Sequence, residues 1–255
     1  MLNYMFWNKF ASFYKKKIEM PNNYFRFKQF TIVQDGCAMK VGTDGCLLGG
    51  WFDCSNSHNI LDIGCGSGLI SIMAAQRCDA HVTGIEIDKD AAVQASENVR
   101  NSPWAERIDI THCDFLQYNP EKRFDTIVCN PPYFVNSLKC DKSSRTLARH
   151  SDSLNSTDFF AKCAEVSTPA PVVAIIIPCD ILSEWLSAAN ANGFYTRRIT
   201  YIKTTPTKAP KRVLVEFVRD SKVCTVEKTL IFENGRGEYS EETKEILRAF
   251  YLKID

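Results

Sequence analysis

The chain has 255 residues, enough to bury one sizeable core, and its 31 basic and 30 acidic side chains nearly cancel. This balance argues against a protein that binds nucleic acid by net charge alone, although residues 1–30 and 197–219 are locally basic and either meet an anion or are solvated surface. No stretch reaches the ~18 apolar residues of a membrane span, and the 11 cysteines include no C-x-x-C pair, so we expect no membrane anchor, no metal and a reducing, cytoplasmic location.

The chain is expected to form one domain. Met20 begins "MPNNYFRFKQF", which is typical of a natural start, so residues 1–21 are predicted to be a disordered extension outside the fold. Residues 22–255 then form the domain: a lead-in at 22–58, a Rossmann-like core at 59–220 and a C-terminal appendage at 221–255. We also expect a monomer.

Short apolar runs alternate with amphipathic ones from Asn59 onward, which is typical of an α/β fold with a parallel sheet. Asp88 and then Ser156 or Thr157 are placed to cap two of the helices, and a Ser-x-x-Thr-like cap precedes the last one. Strands are predicted at 59–64, 81–88, 107–114, 124–130, 171–178, 194–204 and 211–220, and helices at 68–77, 89–101, 156–167, 181–193 and 240–252. The predicted fold is therefore a mostly parallel seven-stranded sheet with an antiparallel edge hairpin and helices on both faces.

A glycine-rich turn follows the first predicted strand of the core. "LDIGCGSG" places Gly64, Gly66 and Gly68 between that strand and a helix, where a ligand approaches the backbone without obstruction by a Cβ atom. Ligands of open α/β sheets bind at the carboxyl ends of the strands. With Asp62 before it, the G-x-G-x-G spacing resembles motif I of class I methyltransferases that use S-adenosylmethionine.

Acidic residues end the next two strands. Glu86 ends the second strand, where a carboxylate accepts both ribose hydroxyls of a nucleoside, and Ile87 follows it. Asp114, followed by Phe115, ends the third strand, and the resemblance implies that this acid binds the adenine amine of the cofactor. Ile87 and Phe115, which follow the two acids, are also expected to contact the cofactor. The rival interpretations are a Rossmann-like domain with a decayed site and an NAD-dependent dehydrogenase.

The fourth strand ends in Asn130, Pro131, Pro132 and Tyr133, which matches the [N/D/S]-P-P-[Y/F/W] motif of methyltransferases that act on planar nitrogen. An exocyclic amine is a poor nucleophile because its lone pair is delocalised into a π system. The Asn130 side-chain oxygen and the Pro131 carbonyl are two rigid acceptors that draw the N–H bonds out of that arrangement. Tyr133, with Phe134 beside it, offers aromatic surface on which a flat base stacks.

Several further segments resemble one family, the bacterial tRNA(Val) adenine-N6 methyltransferases. They are "FKQFTIVQD", "MKVGTDGCLLGGW", "NSLK…ARH", "RVLVEF" and "YSEET…FYLK", and the resemblance covers about residues 25–253. It implies transfer of a methyl group from S-adenosylmethionine, leaving S-adenosylhomocysteine, to the adenosine 3′ of the anticodon, flipped out of its loop. It also implies that Lys40, Thr43 and Asp44 touch the methionine end of the cofactor.

The substrate side of the predicted site is basic. Arg145, Arg149 and His150 lie in a Ser-rich stretch that either meets phosphate or is a capped surface loop. The family resemblance implies a second group that holds the tRNA backbone: Arg197, Arg198, Lys203, Lys208, Lys211 and Arg212.

Other functions stay open from the sequence. One is a glutamine-N5 protein methyltransferase acting on release factors, and another is methylation of adenine or guanine in a different RNA or in DNA. A third is a non-catalytic RNA-binding adaptor, against which the presence of Asp62, Glu86, Asp114 and Asn130 argues.

Overall fold

The protein is described from a computed structural model, which covers residues 23–35, 37, 39–132 and 154–254. An eight-stranded sheet forms its centre. Its strands are β3 (Asn59–Ile63), β4 (His81–Glu86), β5 (Ile108–His112), β6 (Phe124–Cys129), β7 (Ser167–Pro178), β8 (Tyr195–Lys203), β9 (Arg212–Val218) and β10 (Val226–Ile231). Their order across the sheet is β10-β8-β9-β7-β6-β3-β4-β5.

The strands from β7 through β6, β3 and β4 to β5 are parallel. Successive residues of these strands point to opposite faces of the sheet and so into different cores. Ile60 and Val128 lie in one apolar cluster, whereas Leu61 and Ile127 lie in the other. A strand that is buried on both faces reads as a continuous apolar run, as "AIIIP" does in β7. The predicted mostly parallel sheet with helices on both faces is confirmed.

The antiparallel part of the sheet contains one strand more than predicted. β9 pairs antiparallel with both β7 and β8, as the predicted hairpin requires. β10 then pairs parallel to β8, so β10 and not the hairpin forms the edge of the sheet. Residues 225–240 are predicted from the sequence only to be extended, within the C-terminal appendage. An exposed run such as "VEKT" does not indicate which strand it pairs with.

Six helices occur in the described residues. They are α1 (Thr43–Trp51), α2 (Leu69–Arg77), α3 (Lys89–Arg100), α4 (Ser156–Val166), α5 (Leu182–Ala191) and α6 (Glu241–Leu247). α4 and α5 cover one face of the sheet, with Phe159, Phe160 and Trp185 in the core, and the other four pack on the opposite face. None of these helices is long and apolar enough to cross a lipid bilayer.

The predicted helix caps are largely present. The Asp88 carboxylate accepts a hydrogen bond from the Ala91 amide at the start of α3, and the Ser240 hydroxyl accepts one from the Thr243 amide at the start of α6. The cap of α4 was predicted one or two residues too late. Asn155 caps this helix through the Asp158 amide, because an asparagine side chain serves as well as serine or threonine.

The lead-in forms a small hairpin of β1 (Tyr24–Arg26) and β2 (Thr31–Val33), followed by α1, which the sequence analysis did not predict. The Lys28 amide and side chain donate to the carbonyls of Phe250 and Arg248 after α6. A two-stranded ribbon of β11 (Glu233–Gly235) and β12 (Glu238–Tyr239) precedes α6. The lead-in and the C-terminal segment thus share one apolar cluster with α1 and α2.

Candidate active site

The four strands that carry the predicted motifs are neighbours and end at one edge of the sheet. β3 lies between β6 and β4, and Ile63 pairs with Cys129 on one side and with Ile85 on the other. Glu86 pairs with His112, so β5 ends in the same row. This register brings together the residues that follow the strands: Gly64 after β3, Asp114 after β5 and Asn130 after β6.

The glycine loop after β3 leaves an open cradle. The amides of Gly64 and Cys65 donate to the Ile85 carbonyl at 2.9 and 3.0 Å, which fixes the loop to β4. Gly64 and Gly66 have φ angles of 66° and 54°, and a Cβ atom added at either would meet nothing within 4 Å. The backbone is therefore bare toward the space in which a ligand at this edge would lie. Gly68, at φ 81°, is the N-cap residue of α2.

Backbone amides orient the carboxylates of Glu86 and Asp114. Glu86 accepts hydrogen bonds from the Gly66 amide at 2.8 Å and the Asp88 amide at 2.9 Å, one on each oxygen. Asp114 accepts from the Leu116 amide at 2.9 Å and from the Gln117 side chain at 3.2 Å. Each oxygen has a second lone pair, so both side chains are held in place and can still accept from a ligand.

Asp62 lies beneath the glycine loop and is fully buried. Its Oδ2 accepts a hydrogen bond from the Ser71 hydroxyl of α2 at 2.6 Å, whereas Oδ1 has no partner. Burial, opposed by the hydrogen bond from Ser71 and assisted by the charge of Glu86, raises the pKa of this carboxyl from 3.8 to about 7. A buried carboxylate oxygen without a donor is suited to a positively charged amine.

The Asn-Pro-Pro corner follows β6 directly. Asn130 is half-buried, Pro131 is buried and Pro132 is exposed. A Cβ atom added at Gly45 would lie 4.0 Å from Asn130 Nδ2, so the first turn of α1 lies against the corner. The remaining predicted substrate residues on this side lie outside the described residues: Tyr133, Phe134, Arg145, Arg149 and His150.

The lead-in residues predicted to touch the cofactor lie at the start of α1. Lys40 and Thr43 are exposed. Asp44 accepts a hydrogen bond from Arg212 Nε at 2.7 Å, so it is part of an ion pair that ties α1 to the start of β9. The structure brings these residues to the same end of the sheet as the glycine loop.

Two apolar side chains next to the acidic residues are exposed. Ile87 is 55% and Leu116 is 41% accessible, whereas Phe115 is buried and packs against Phe159 with ring centroids 5.9 Å apart. Ile87 therefore offers surface to a ligand, and Leu116, which the sequence analysis missed, does so where Phe115 was predicted. The sequence does not show which of Phe115 and Leu116 is buried. The two are adjacent in a 3₁₀ turn at Phe115–Gln117, which is too short to carry a periodic pattern.

The six basic residues from Arg197 to Arg212 have different surroundings. Arg197 and Arg198 form ion pairs of 2.9 and 2.7 Å with the buried Glu216, and the Arg198 guanidinium lies 3.8 Å from the centroid of the Trp51 ring. The Lys203 amine donates to the Pro206 carbonyl at 2.7 Å. Lys208 and Lys211 are exposed and make no side-chain hydrogen bond or ion pair with any described residue.

The loop that carries Lys208 and Lys211 lies at the end of the sheet that holds the site. β8 is parallel to β7, since both pair antiparallel with β9, so β8 ends at the carboxyl edge of the parallel strands. Lys211 precedes Arg212, whose ion pair with Asp44 links the loop to α1. Within the described ranges, no group of three or more histidine, cysteine or acidic side chains is arranged to hold a metal ion.

Comparisons with known proteins agree with this geometry. A family model described as the methyltransferase small domain matches residues 39–157. A relative from Phocaeicola vulgatus named tRNA1(Val) (adenine(37)-N6)-methyltransferase is 46% identical over 235 residues, which are 92% of this chain and 100% of the relative. A relative of the same name from Aliivibrio fischeri is 40% identical over 232 residues, covering 91% of this chain and 98% of the relative.

Solved structures support the fold alone, because their sequence identities are low. A predicted O-methyltransferase from Agrobacterium tumefaciens superposes with a TM-score of 0.66 at 19% identity, covering 81% of this chain and 96% of that one. A putative class I S-adenosylmethionine-dependent methyltransferase from Listeria monocytogenes gives 0.52 at 16% identity, covering 73% and 62%. The chain therefore has the class I methyltransferase fold and belongs to the family of tRNA1(Val) (adenine(37)-N6)-methyltransferases.

Proposed function

We propose that the protein transfers a methyl group from S-adenosylmethionine to the N6 amine of an adenosine in tRNA, the adenosine 3′ of the anticodon of tRNA(Val). The observation that carries the proposal is the single edge at which the glycine loop, Glu86, Asp114 and Asn130 meet. The relatives' names supply the substrate, because the Asn-Pro-Pro corner by itself specifies only a planar nitrogen.

The residues at this edge fit the cofactor. The open backbone at Gly64 and Gly66 leaves room for it, and the oriented carboxylate of Glu86 suits ribose hydroxyls. The buried Asp62 oxygen without a partner suits the amino group of its methionine part. When bound, S-adenosylmethionine supplies a methyl group on a positively charged sulfur. We assign its adenine to Asp114, Ile87 and Leu116, a carboxylate flanked by exposed apolar surface.

The chain's own part in catalysis is to orient the amine. The Asn130 side-chain oxygen and the Pro131 carbonyl each accept one N–H of the adenine amine, which turns the nitrogen lone pair out of the ring's π system and toward the methyl group. Methyl transfer to that lone pair would leave the cofactor sulfur neutral and the amine nitrogen positively charged, and the nitrogen would then release one proton to water. Because that nitrogen is acidic, no side-chain base is required. Two prolines hold the acceptors rigid before the reaction.

Lys208 and Lys211 are the strongest candidates for contacts with the tRNA backbone. They are exposed and lie in a loop that the pair of Arg212 and Asp44 links to α1. Reversing both charges by substitution with Glu should weaken tRNA binding. It should also make the fall of log affinity with log salt concentration shallower, by about one to two in the slope. The control is Lys222→Glu, an exposed lysine in the turn after β9 at the opposite end of the sheet. If the double variant binds tRNA as tightly as the Lys222→Glu control does, this surface does not contact tRNA.

The chemistry is tested by product identification. The purified protein is incubated with methyl-labelled S-adenosylmethionine and tRNA that lacks the modification, and the tRNA is digested to nucleosides. Label in N6-methyladenosine supports the proposal, and label in a protein substrate alone would instead support glutamine-N5 methylation. Asn130→Ala should abolish transfer while cofactor affinity changes little, whereas Asn101→Ala, at the exposed C-cap of α3, should be fully active. Loss of cofactor affinity in the Asn130 variant would place the chemistry elsewhere.

We further propose that the protein works as a monomer in the cytoplasm, where its tRNA substrate is. Sedimentation of the free protein and of its complex with tRNA tests the first statement, and a dimer in either sample would contradict it.

A further inference from the structure

A buried amide side chain connects two walls of the proposed cofactor site. Asn98 lies on α3 and is 2% exposed. Its Nδ2 donates to the carbonyls of Val33 at 2.8 Å and Ser67 at 2.9 Å, and its Oδ1 accepts from the Val33 amide at 2.9 Å. Ser67 lies in the glycine loop, and Val33 ends β2 of the lead-in hairpin. One side chain therefore makes three hydrogen bonds to the backbone of two separate segments.

The geometry of the hairpin explains why Val33 requires this partner. Val33 pairs with Tyr24, and the next pair is hydrogen-bonded from the Gln34 amide to the Asn23 carbonyl at 2.8 Å. Because hydrogen-bonded and non-hydrogen-bonded pairs alternate in an antiparallel ladder, both polar groups of Val33 point away from β1. The Asn98 side chain therefore supplies Val33 with the donor and the acceptor that a neighbouring strand would provide.

The lead-in continues from Val33 into the site. Gln34 is buried, and its side-chain oxygen accepts from the Val41 amide at 2.8 Å, which ties the two ends of the lead-in loop together. Within that loop, burial and then the carboxylates of Glu86 and Asp88 raise the pKa of the Cys37 thiol to about 11. The lead-in then enters α1, where a Cβ atom added at Gly45 would lie 3.2 Å from Leu69 Cδ2 at the start of α2 and 4.0 Å from Asn130 Nδ2. The lead-in therefore borders the proposed cofactor site.

We propose that Asn98 is a positioning residue that couples the lead-in loop to the glycine loop, so that both hold the cofactor as one unit. The proposal rests on the cofactor site proposed above. Asn98 acts at a distance, through the backbone of Val33 and Ser67, so its loss should affect cofactor binding more than methyl transfer at saturating cofactor. The family model begins at residue 39, so the hairpin that Asn98 holds lies outside the methyltransferase small domain.

The test compares two substitutions on α3. Asn98→Ala removes all three hydrogen bonds and should raise the dissociation constant of S-adenosylhomocysteine, measured by calorimetry, about tenfold. Val99→Ala, the control, removes buried apolar volume from the same helix without removing a side-chain hydrogen bond. It should lower the melting temperature and leave the dissociation constant within about twofold of the native value. An Asn98 variant that is less stable but binds S-adenosylhomocysteine normally overturns the proposal.

A measurement on the unaltered protein decides the question if the Asn98 variant does not fold. Hydrogen exchange of the peptides covering residues 31–42 and 60–70 is followed while S-adenosylhomocysteine is added. Coupling predicts that both peptides gain protection together at the same ligand concentration. If only residues 60–70 gain protection, the coupling through Asn98 is wrong, whereas the proposed function stands. No binding by the unaltered protein overturns the proposed function and the inference with it.

Discussion

The buried carboxyl of Asp62 makes the stability of the free protein depend on pH. Its pKa is about 7 in the folded protein and 3.8 ordinarily, so folding favours the protonated form. The favourable contribution is complete below pH 3.8 and is lost as the pH rises to about 7, because the unfolded chain releases the proton first. Asp62→Asn removes this dependence and keeps an oxygen to accept the 2.6 Å hydrogen bond from Ser71.

The magnitude follows from the two pKa values. A separation of about three pH units at about 1.4 kcal/mol each gives about 4 kcal/mol, of which about 3 kcal/mol falls between pH 5 and pH 8. The amide nitrogen placed where Oδ1 has no partner adds a cost that is the same at every pH. The change in the stability difference with pH, rather than its value at one pH, is therefore the quantity to measure.

Urea unfolding of the native protein and of Asp62→Asn at pH 5, 6, 7 and 8 tests this reasoning. The variant should gain about 3 kcal/mol relative to the native protein across that range, with little further gain above pH 8. A stability difference that stays constant from pH 5 to pH 8 would refute the reasoning, since it would mean that Asp62 is ionised in the folded protein throughout.

Three further substitutions test neighbouring parts of the structure. Ser71→Ala removes the hydrogen bond that favours the ionised Asp62, so its pKa should rise further and urea stability should continue to fall above pH 7; an unchanged pH profile contradicts this. Gly66→Ala places a Cβ atom in the open cradle at positive φ, so it should cost about 1 kcal/mol of stability and weaken S-adenosylhomocysteine binding at least about tenfold, and normal binding would contradict the assigned site. Glu216→Gln leaves Arg197 and Arg198 without their shared buried partner and should cost about 3 kcal/mol in urea unfolding at pH 7, whereas a loss below about 1 kcal/mol would mean that solvent screens these pairs.

The parallel half of the sheet and its edge could be predicted because their signals are local. The glycine loop, Glu86, Asp114 and Asn130 each follow an apolar run, and parallel strands necessarily end at one edge. α1 was missed because "TDGCLLGGW" is buried on nearly all sides and contains three glycines, so it has neither helical periodicity nor helix-forming composition.

The surroundings of the basic residues could not be predicted, because they depend on strand register. Arg198 lies opposite Glu216 in the β8–β9 ladder, and Asp53 and Trp51 reach the same place from the end of α1. Nothing in "TRRIT" distinguishes an arginine that pairs internally from one that meets phosphate. Lys208 and Lys211 lie between β8 and β9, and their side chains are exposed.

The carboxylates of the candidate site divide into two kinds. Glu86 accepts hydrogen bonds from the glycine loop and from the residues after β4, and Asp114 accepts them from the turn that follows it. These side chains are already ordered, so little further entropy is lost when a ligand binds. Asp62 is ordered as well, but its Oδ1 has no donor and its pKa is near neutrality. A positively charged amine at Oδ1 lowers that pKa, so cofactor binding near pH 7 should release a proton and strengthen as the pH rises from 6 to 8. Of the three acids, Asp62 is therefore the one whose protonation should control cofactor affinity, while Glu86 and Asp114 should orient the cofactor in the proposed site.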